Sequence, residues 1–160
     1  MKEHEILDPE TLVELYSVMN EVQIVSQLWS NEMRQVMPED LSVAQFSVLN
    51  WFSRVDDEAT PGRLARAFQV TKGAMTHTLG KLLDAGLVTI SPDPTSGRRK
   101  IVRRTPRGAT LREAAIANTF EILGDFASDL DAGRLKRILP TLRLMRRHLD
   151  AKREAPRAAD

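Results

Sequence analysis

The chain carries repeated helix-start signals, in each of which a capping residue is followed by proline. Asp8-Pro9, Thr60-Pro61 and Thr105-Pro106 have this form. The capping side chain accepts a backbone N–H, and proline stands at the first helical position, where its missing N–H is not needed. Ser42 and Gln45 have the spacing of a capping box. Because these signals are spread along the chain, they predict a mainly α-helical fold.

Long amphipathic stretches flank the middle of the chain. In residues 12–36 apolar side chains recur every three or four residues and cover about half of the helix circumference, more than the roughly 100° stripe of a helix packed on one core. We therefore expect this helix to bury two sides. Residues 135–149 have similar spacing, but Pro140 should kink or divide that helix because it removes one backbone hydrogen bond.

One segment between the helices favours β-structure. Residues 87–90 and 100–103 are short β-prone runs, and the stretch 92–99 between them is rich in turn formers. A two-stranded hairpin with a basic tip is the simplest interpretation. The predicted fold class is therefore mainly α with a small two-stranded β-wing.

The residues before the hairpin have the spacing of a helix-turn-helix. Thr71 follows a tight turn and caps its second helix. Four apolar residues of that helix share one face: Met75, Leu79, Leu82 and Leu83. The opposite arc is small, hydrogen-bonding and weakly basic, and consists of Gly73, Thr76, His77, Gly80 and Lys81. Such a surface suits the major groove of DNA, where base edges present donors, acceptors and thymine methyls.

Basic residues are concentrated in the middle of the chain. The formal net charge is +1, yet residues 1–60 carry −9, residues 61–108 carry +8 and residues 109–160 carry +2. Five basic residues lie in or just after the hairpin tip with almost no acid nearby: Arg98, Arg99, Lys100, Arg103 and Arg104. An arginine on a flexible tip can enter a narrow minor groove while its neighbours bind phosphates. The middle third is thus expected to meet a polyanion.

The order of these motifs resembles that of the MarR family of bacterial transcriptional regulators. The residues that carry the resemblance are Leu41-Ser42-x-x-Gln45-Phe46-x-x-Leu49, Thr60-Pro61-x-x-Leu64-Ala65, Thr76-x-x-Leu79-x-x-Leu82-x-x-x-Gly86-Leu87-Val88, Gly97-Arg98-Arg99 and Thr105-Pro106-x-Gly108. The resemblance covers about residues 40–110. It implies a homodimeric winged-helix repressor of a double-stranded DNA operator. A small-molecule effector, often an aromatic acid, would release it from the operator.

Two positions depart from the family pattern. Ser96 stands where an acidic residue usually precedes the Gly97-Arg98 pair, so an ion pair that orients the wing is in doubt. Arg104 replaces an apolar residue before Thr105-Pro106, and we expect it to add to the positive charge of the wing.

The motifs and the resemblance together divide the chain into regions. Residues 1–40 and 106–153 are expected to form a helical dimerisation region, residues 41–105 the winged helix-turn-helix, and residues 154–160 a frayed tail. Carried over by position, the resemblance implies DNA-binding roles for Lys72, Gly73, Thr76, His77, Lys81, Arg98, Arg99 and Lys100. Arg98 is the candidate for the minor groove.

Large aromatic residues and the acidic run are interpreted as structural. Trp29, Trp51 and Phe120 are expected in the core rather than around a ligand, so no ligand-binding residue is named. The acidic residues 56–58 are interpreted as a solvated turn rather than a cation site.

Other classes of function have less support in the sequence. The chain has no cysteine, its three histidines lack the spacing of a metal pair, and no P-loop, dinucleotide fingerprint or nucleophile elbow is present. Neither an enzyme nor a metal or cofactor is expected. Without a long apolar run or a signal-peptide pattern, a cytoplasmic location away from membranes is expected. The alternative that stays open is a helical protein–protein adaptor with a basic interaction hairpin and no operator.

Overall fold

The structure, a computed structural model, describes residues 8–154, apart from the side chains of residue 128 and residues 152–154. The elements in chain order are helix α1 (Pro9–Val36), a short 3-10 helix (Pro38–Asp40), α2 (Val43–Arg54), strand β1 (Glu58–Ala59), α3 (Pro61–Ala67), α4 (Lys72–Asp84), strands β2 (Val88–Asp93) and β3 (Ser96–Arg104), α5 (Pro106–Asp129) and α6 (Ala132–Glu154). The predicted mainly α fold with a small β-wing is confirmed. The predicted tail lies outside the described residues, except for residue 154.

Most of the predicted caps are confirmed. The Gln45 N–H donates to Ser42 Oγ at 3.2 Å, and the Ser42 N–H donates to Gln45 Oε1 at 2.8 Å, which completes the capping box of α2. The hydroxyls of Thr60, Thr71 and Thr105 each accept the backbone N–H three residues further on, at 3.1, 3.1 and 3.0 Å. Asp8 is the exception: it stands at the N-cap of α1, but its side chain makes no capping hydrogen bond.

The chain divides into two compact units, one up to residue 119 and one from residue 120 onward. The core of the first unit lies between α2, α3, α4 and the sheet. Its largest fully buried side chains are Val48, Leu49, Phe52, Leu64, Leu79, Leu82, Val88 and Val102. Leu111 and Ala115 extend this core into the first half of α5. Trp51 packs against the same core, as expected.

The sheet has three strands in the order β1-β3-β2 rather than the two predicted. β1 is only two residues long and comes from the segment interpreted as a solvated acidic turn. Glu58 pairs with Arg103, and Ala59, which is buried, pairs with Val102. A two-residue strand is too short to show an alternation of apolar and polar residues, so its pairing depends on the fold around it.

Several expectations about the helices are wrong. Pro140 lies inside α6, which runs as one helix from residue 132 to residue 154, so the expected division of the helix is wrong, whereas a kink at this residue stays a prediction. Leu83, expected on the apolar face of α4, is 44% exposed. Phe120, expected in the core, is 63% exposed in the single chain.

Apolar side chains also remain exposed along the N-terminal two-thirds of α1. They include Leu12, Val13, Leu15, Tyr16, Met19, Val22, Val25 and Leu28, whereas Met33 near the end of the helix is buried. The single chain therefore leaves the broad apolar surface of this helix without a cover.

Candidate nucleic-acid interface

Helix α4 presents one face to solvent because its other face is held in the core. Met75, Leu79 and Leu82 are buried, and α4 packs against α2, α3 and β2. A tight turn sets its start: Gln69 adopts a left-handed backbone conformation (φ 56°), and the Val70 N–H donates to the Ala65 carbonyl at 3.1 Å. This packing fixes the rotation of α4 about its own axis.

The five residues of α4 that are predicted to bind DNA are all exposed: Lys72, Gly73, Thr76, His77 and Lys81. Gly80, also expected on the outer arc, is half-buried. A Cβ atom added at Gly73 or at Gly80 would meet nothing within 4 Å. The fold itself therefore does not require either glycine, although each costs the helix about 1 kcal/mol relative to alanine.

Thr76 also has a local role. Its hydroxyl donates to the Lys72 carbonyl one turn earlier at 2.8 Å, the structural role that a threonine inside a helix often takes. The hydroxyl oxygen can still accept a hydrogen bond in this arrangement.

The wing residues lie on a strand and not on a flexible tip. Pro92 pairs with Lys100 and Asp93 pairs with Ser96, so residues 97–99 of β3 form a bulge between two adjacent positions of β2. Arg98, Arg99 and Lys100 are all exposed there. The turn itself is reduced to two residues, Pro94 and Thr95.

Asp93 closes the turn at the end of the wing. Its Oδ1 accepts hydrogen bonds from the Thr95 N–H at 2.8 Å and from the Thr95 hydroxyl at 2.7 Å. These bonds hold the pKa of the Asp93 carboxyl below its ordinary value, and the positive charge of Arg99 acts in the same direction. The ionised carboxylate of Asp93 thus orders the turn. Ser96, which stands where the family usually has an acidic residue, has no carboxylate for this role.

The other basic residues near the wing have partners within the protein. The Arg103 guanidinium pairs with the Glu58 carboxylate, and the Arg104 guanidinium donates to the Ser53 hydroxyl on α2. Arg107 contacts Glu39 at 2.8 Å and donates to the Ala85 carbonyl. The expectation that the wing arginines face almost no acid is therefore wrong for Arg103. Arg104 is half-buried, and the Ser53 hydroxyl that it contacts is neutral and leaves its positive charge uncompensated.

The first compact unit thus brings the two sets of predicted site residues into one body. One set lies on the outer face of α4, and the other lies on the bulge of β3. Sequence reasoning missed Glu58 and Ser53, whose partners lie 45 and 51 residues further along the chain. No local pattern of residues could have identified those two contacts.

Residues 39–99 match the family model described as "MarR family". A relative of known name, the transcriptional activatory protein BadR of Rhodopseudomonas palustris, is 30% identical over 132 residues, which is 78% of this chain and 75% of BadR. The chain belongs to the MarR family.

Two further proteins, one compared by sequence and one by structure, are similar to this MarR-family chain. The MarR protein of Salmonella typhimurium is 36% identical over 76 residues, which is 48% of this chain and only 52% of that protein. A mutant MarR from E. coli, solved in complex with operator DNA, superposes with a TM-score of 0.68 at 25% identity, over 82% of this chain and 95% of that chain. These matches support a winged-helix fold for the chain.

Among residues 8–154, no group of three or more acidic or histidine side chains is placed to hold a metal ion. In the same part of the chain, no helix is both long and apolar enough to cross a membrane.

Proposed function

We propose that this MarR-family protein is a sequence-specific regulator of transcription that binds double-stranded DNA in the cytoplasm as a homodimer. The observation that carries the proposal is the exposed α4 face beside an exposed basic wing in one compact unit. Direct readout of DNA needs donors and acceptors on a helix that fits the major groove. Backbone binding needs exposed cations that can neutralise phosphates.

The proposed contacts follow from the chemistry of each side chain. Thr76 and His77 face base edges, Gly73 permits close approach, and Lys72 and Lys81 bind phosphates. In the wing, Arg98 enters the minor groove. A narrow minor groove has an enhanced negative potential, which attracts the arginine. Its neighbours Arg99 and Lys100 bind phosphates along the same groove.

The homodimer is proposed because the terminal helices leave a large apolar surface uncovered in one chain. The exposed side chains of α1 are matched by exposed apolar residues on α6: Leu135, Ile138, Leu139, Leu144 and Leu149. Residues 1–40 and 106–153 form the dimerisation region in this proposal, and residues 41–105 the DNA-binding region. Two-fold symmetry gives a pseudo-palindromic operator with half-sites about 34 Å apart.

The direction of regulation and the signal form a finer part of the proposal. Repression results if the operator overlaps the promoter, and an aromatic acid that binds the DNA-free form better than the complex would release it. BadR, by its name, activates transcription. In vitro transcription from a promoter that carries the selected operator would distinguish the two directions. An operator-binding assay with added aromatic acids would test release, which fails if no compound lowers the affinity.

Selection of bound fragments from a random duplex library tests the central proposal, with the full chain as bait. We expect a recovered pseudo-palindrome, and Arg98→Ala should lower the affinity for the selected duplex by a larger factor than the affinity for random duplex. A Lys100→Ala variant serves as the phosphate-contact control and should lower the salt slope by about one unit on every sequence. Recovery of no preferred sequence, with only salt-sensitive binding, would favour the adaptor alternative.

A further inference from the structure

Arg103 is the central residue of a contact that crosses all three strands of the sheet. It lies on β3, opposite Glu58 of β1 on one side and Thr89 of β2 on the other. Its Nη2 pairs with the Glu58 carboxylate, and its Nη1 donates to Ser91 Oγ of β2 at 3.4 Å. We call Glu58, Arg103 and Ser91 the wing clamp.

The clamp joins the wing to the helix-turn-helix through a very short strand. β1 is two residues long, and it is followed at once by Thr60, the N-cap of α3. Ala59 fixes this strand from the core side, against Val102, whereas Glu58 fixes it from the exposed side. Movement of the wing base relative to α3 would have to break the clamp or expose Ala59.

The next residue along β3 holds the wing from the other face of the sheet. Successive side chains of a strand point to opposite faces. Arg104 accordingly turns toward α2, where its guanidinium donates to the Ser53 hydroxyl. Two consecutive arginines therefore fix the base of the wing, while the bulged residues 97–99 remain exposed at its far end.

We propose that Glu58 and Arg103 are positioning residues for DNA binding, which hold the wing in register with α4 and do not themselves bind DNA. This inference rests on the proposed function. It separates the wing arginines into two groups, since Arg98 and Arg99 face solvent whereas the charge of Arg103 is neutralised by Glu58. A clamp that fixes the wing in advance spares the complex the entropy cost of ordering it on binding.

Glu58→Gln gives the decisive test, because the clamp and simple electrostatics predict opposite changes in the affinity for DNA. Removal of a negative charge beside a DNA-binding surface should by itself strengthen binding. If Glu58 positions the wing, affinity for the selected duplex should instead fall about three- to five-fold, the scale of one exposed ion pair. Affinity for poly(dI-dC) should stay equal or rise. Asp57→Asn is the matched control, since it makes the same charge change at the neighbouring exposed residue.

The partner residue supplies the second arm of the test. Arg103→Gln should reproduce the loss in affinity for the selected duplex and leave the salt slope unchanged, whereas loss of a phosphate contact would lower that slope by about one unit. The double variant E58R/R103E should recover affinity to within about two-fold of wild type, because the exchanged charges still attract. Tighter binding by Glu58→Gln, or no recovery in the double variant, would overturn the proposal.

Amide hydrogen exchange tests the clamp without DNA. Amides of β1 and β3 should exchange faster in Glu58→Gln than in Asp57→Asn, since loss of the clamp frees the wing base. Equal exchange in the two variants would also overturn the proposal. If the wild-type chain selects no duplex, the proposed function fails, and the exchange result still decides whether the clamp exists.

Discussion

At the scale of single residues, Gly80 allows an effect on stability to be separated from an effect on DNA binding. Nothing lies within 4 Å of a Cβ at this position, so Gly80→Ala should raise the free energy of unfolding by about 1 kcal/mol through helix propensity. The same methyl would stand on the face proposed to meet DNA, and we expect weaker binding to the selected duplex. Urea denaturation and a fluorescence titration measure the two effects.

The control for this glycine is Gly124→Ala in α5, where an added Cβ is equally unobstructed. It should gain similar helix stability and leave DNA binding unchanged, because it lies outside the proposed DNA interface. Since it lies in the proposed dimerisation region, sedimentation should first show that the variant is still a dimer. If Gly80→Ala stabilised the protein and bound the selected duplex as tightly as wild type, close approach of DNA at this residue would be excluded.

At the scale of elements, α6 contains a proline, Pro140, in its interior and not in its first turn. The helix continues through Pro140 and loses one backbone hydrogen bond there. Pro140→Ala should restore that bond and raise the free energy of unfolding by up to roughly 3 kcal/mol. Thr141→Ala, one residue further on, is the comparison for helix propensity alone. A Pro140→Ala variant no more stable than wild type would mean that neighbouring structure compensates for the missing bond.

At the scale of the whole molecule, the uncovered apolar face of α1 predicts the oligomeric state. The 18.0 kDa chain should sediment as a dimer at micromolar concentration. Leu15→Asp, at a residue 47% exposed in the single chain, should weaken that dimer about 100-fold or more, because a buried unpaired charge costs several kcal/mol. Ser17→Asp changes the charge equally on another side of the helix and should leave the dimer intact. A monomer mass for the wild-type chain would contradict the proposed homodimer.

Local signals explain how much of the fold the sequence could predict. Ser42, Thr60, Thr71 and Thr105 cap their helices through bonds to the residue three positions on, so each cap depends on four consecutive residues. The buried faces of α2 and α4 follow from apolar spacing within each helix. Asp8 stands at the N-cap of α1 without such a bond, because a cap needs a particular side-chain rotamer as well as a suitable residue type.

The sequence by itself therefore determined the helices, the order of helix-turn-helix and wing, and the residue types on the outer face of α4. The tertiary structure decided which arginines in and next to the wing find a partner within the protein. Arg103, Arg104 and Arg107 look equivalent to Arg98 in the sequence, yet their partners lie 45, 51 and 68 residues away. Such contacts form only when the chain has folded, because they depend on distances in space and on strand register rather than on neighbouring residues.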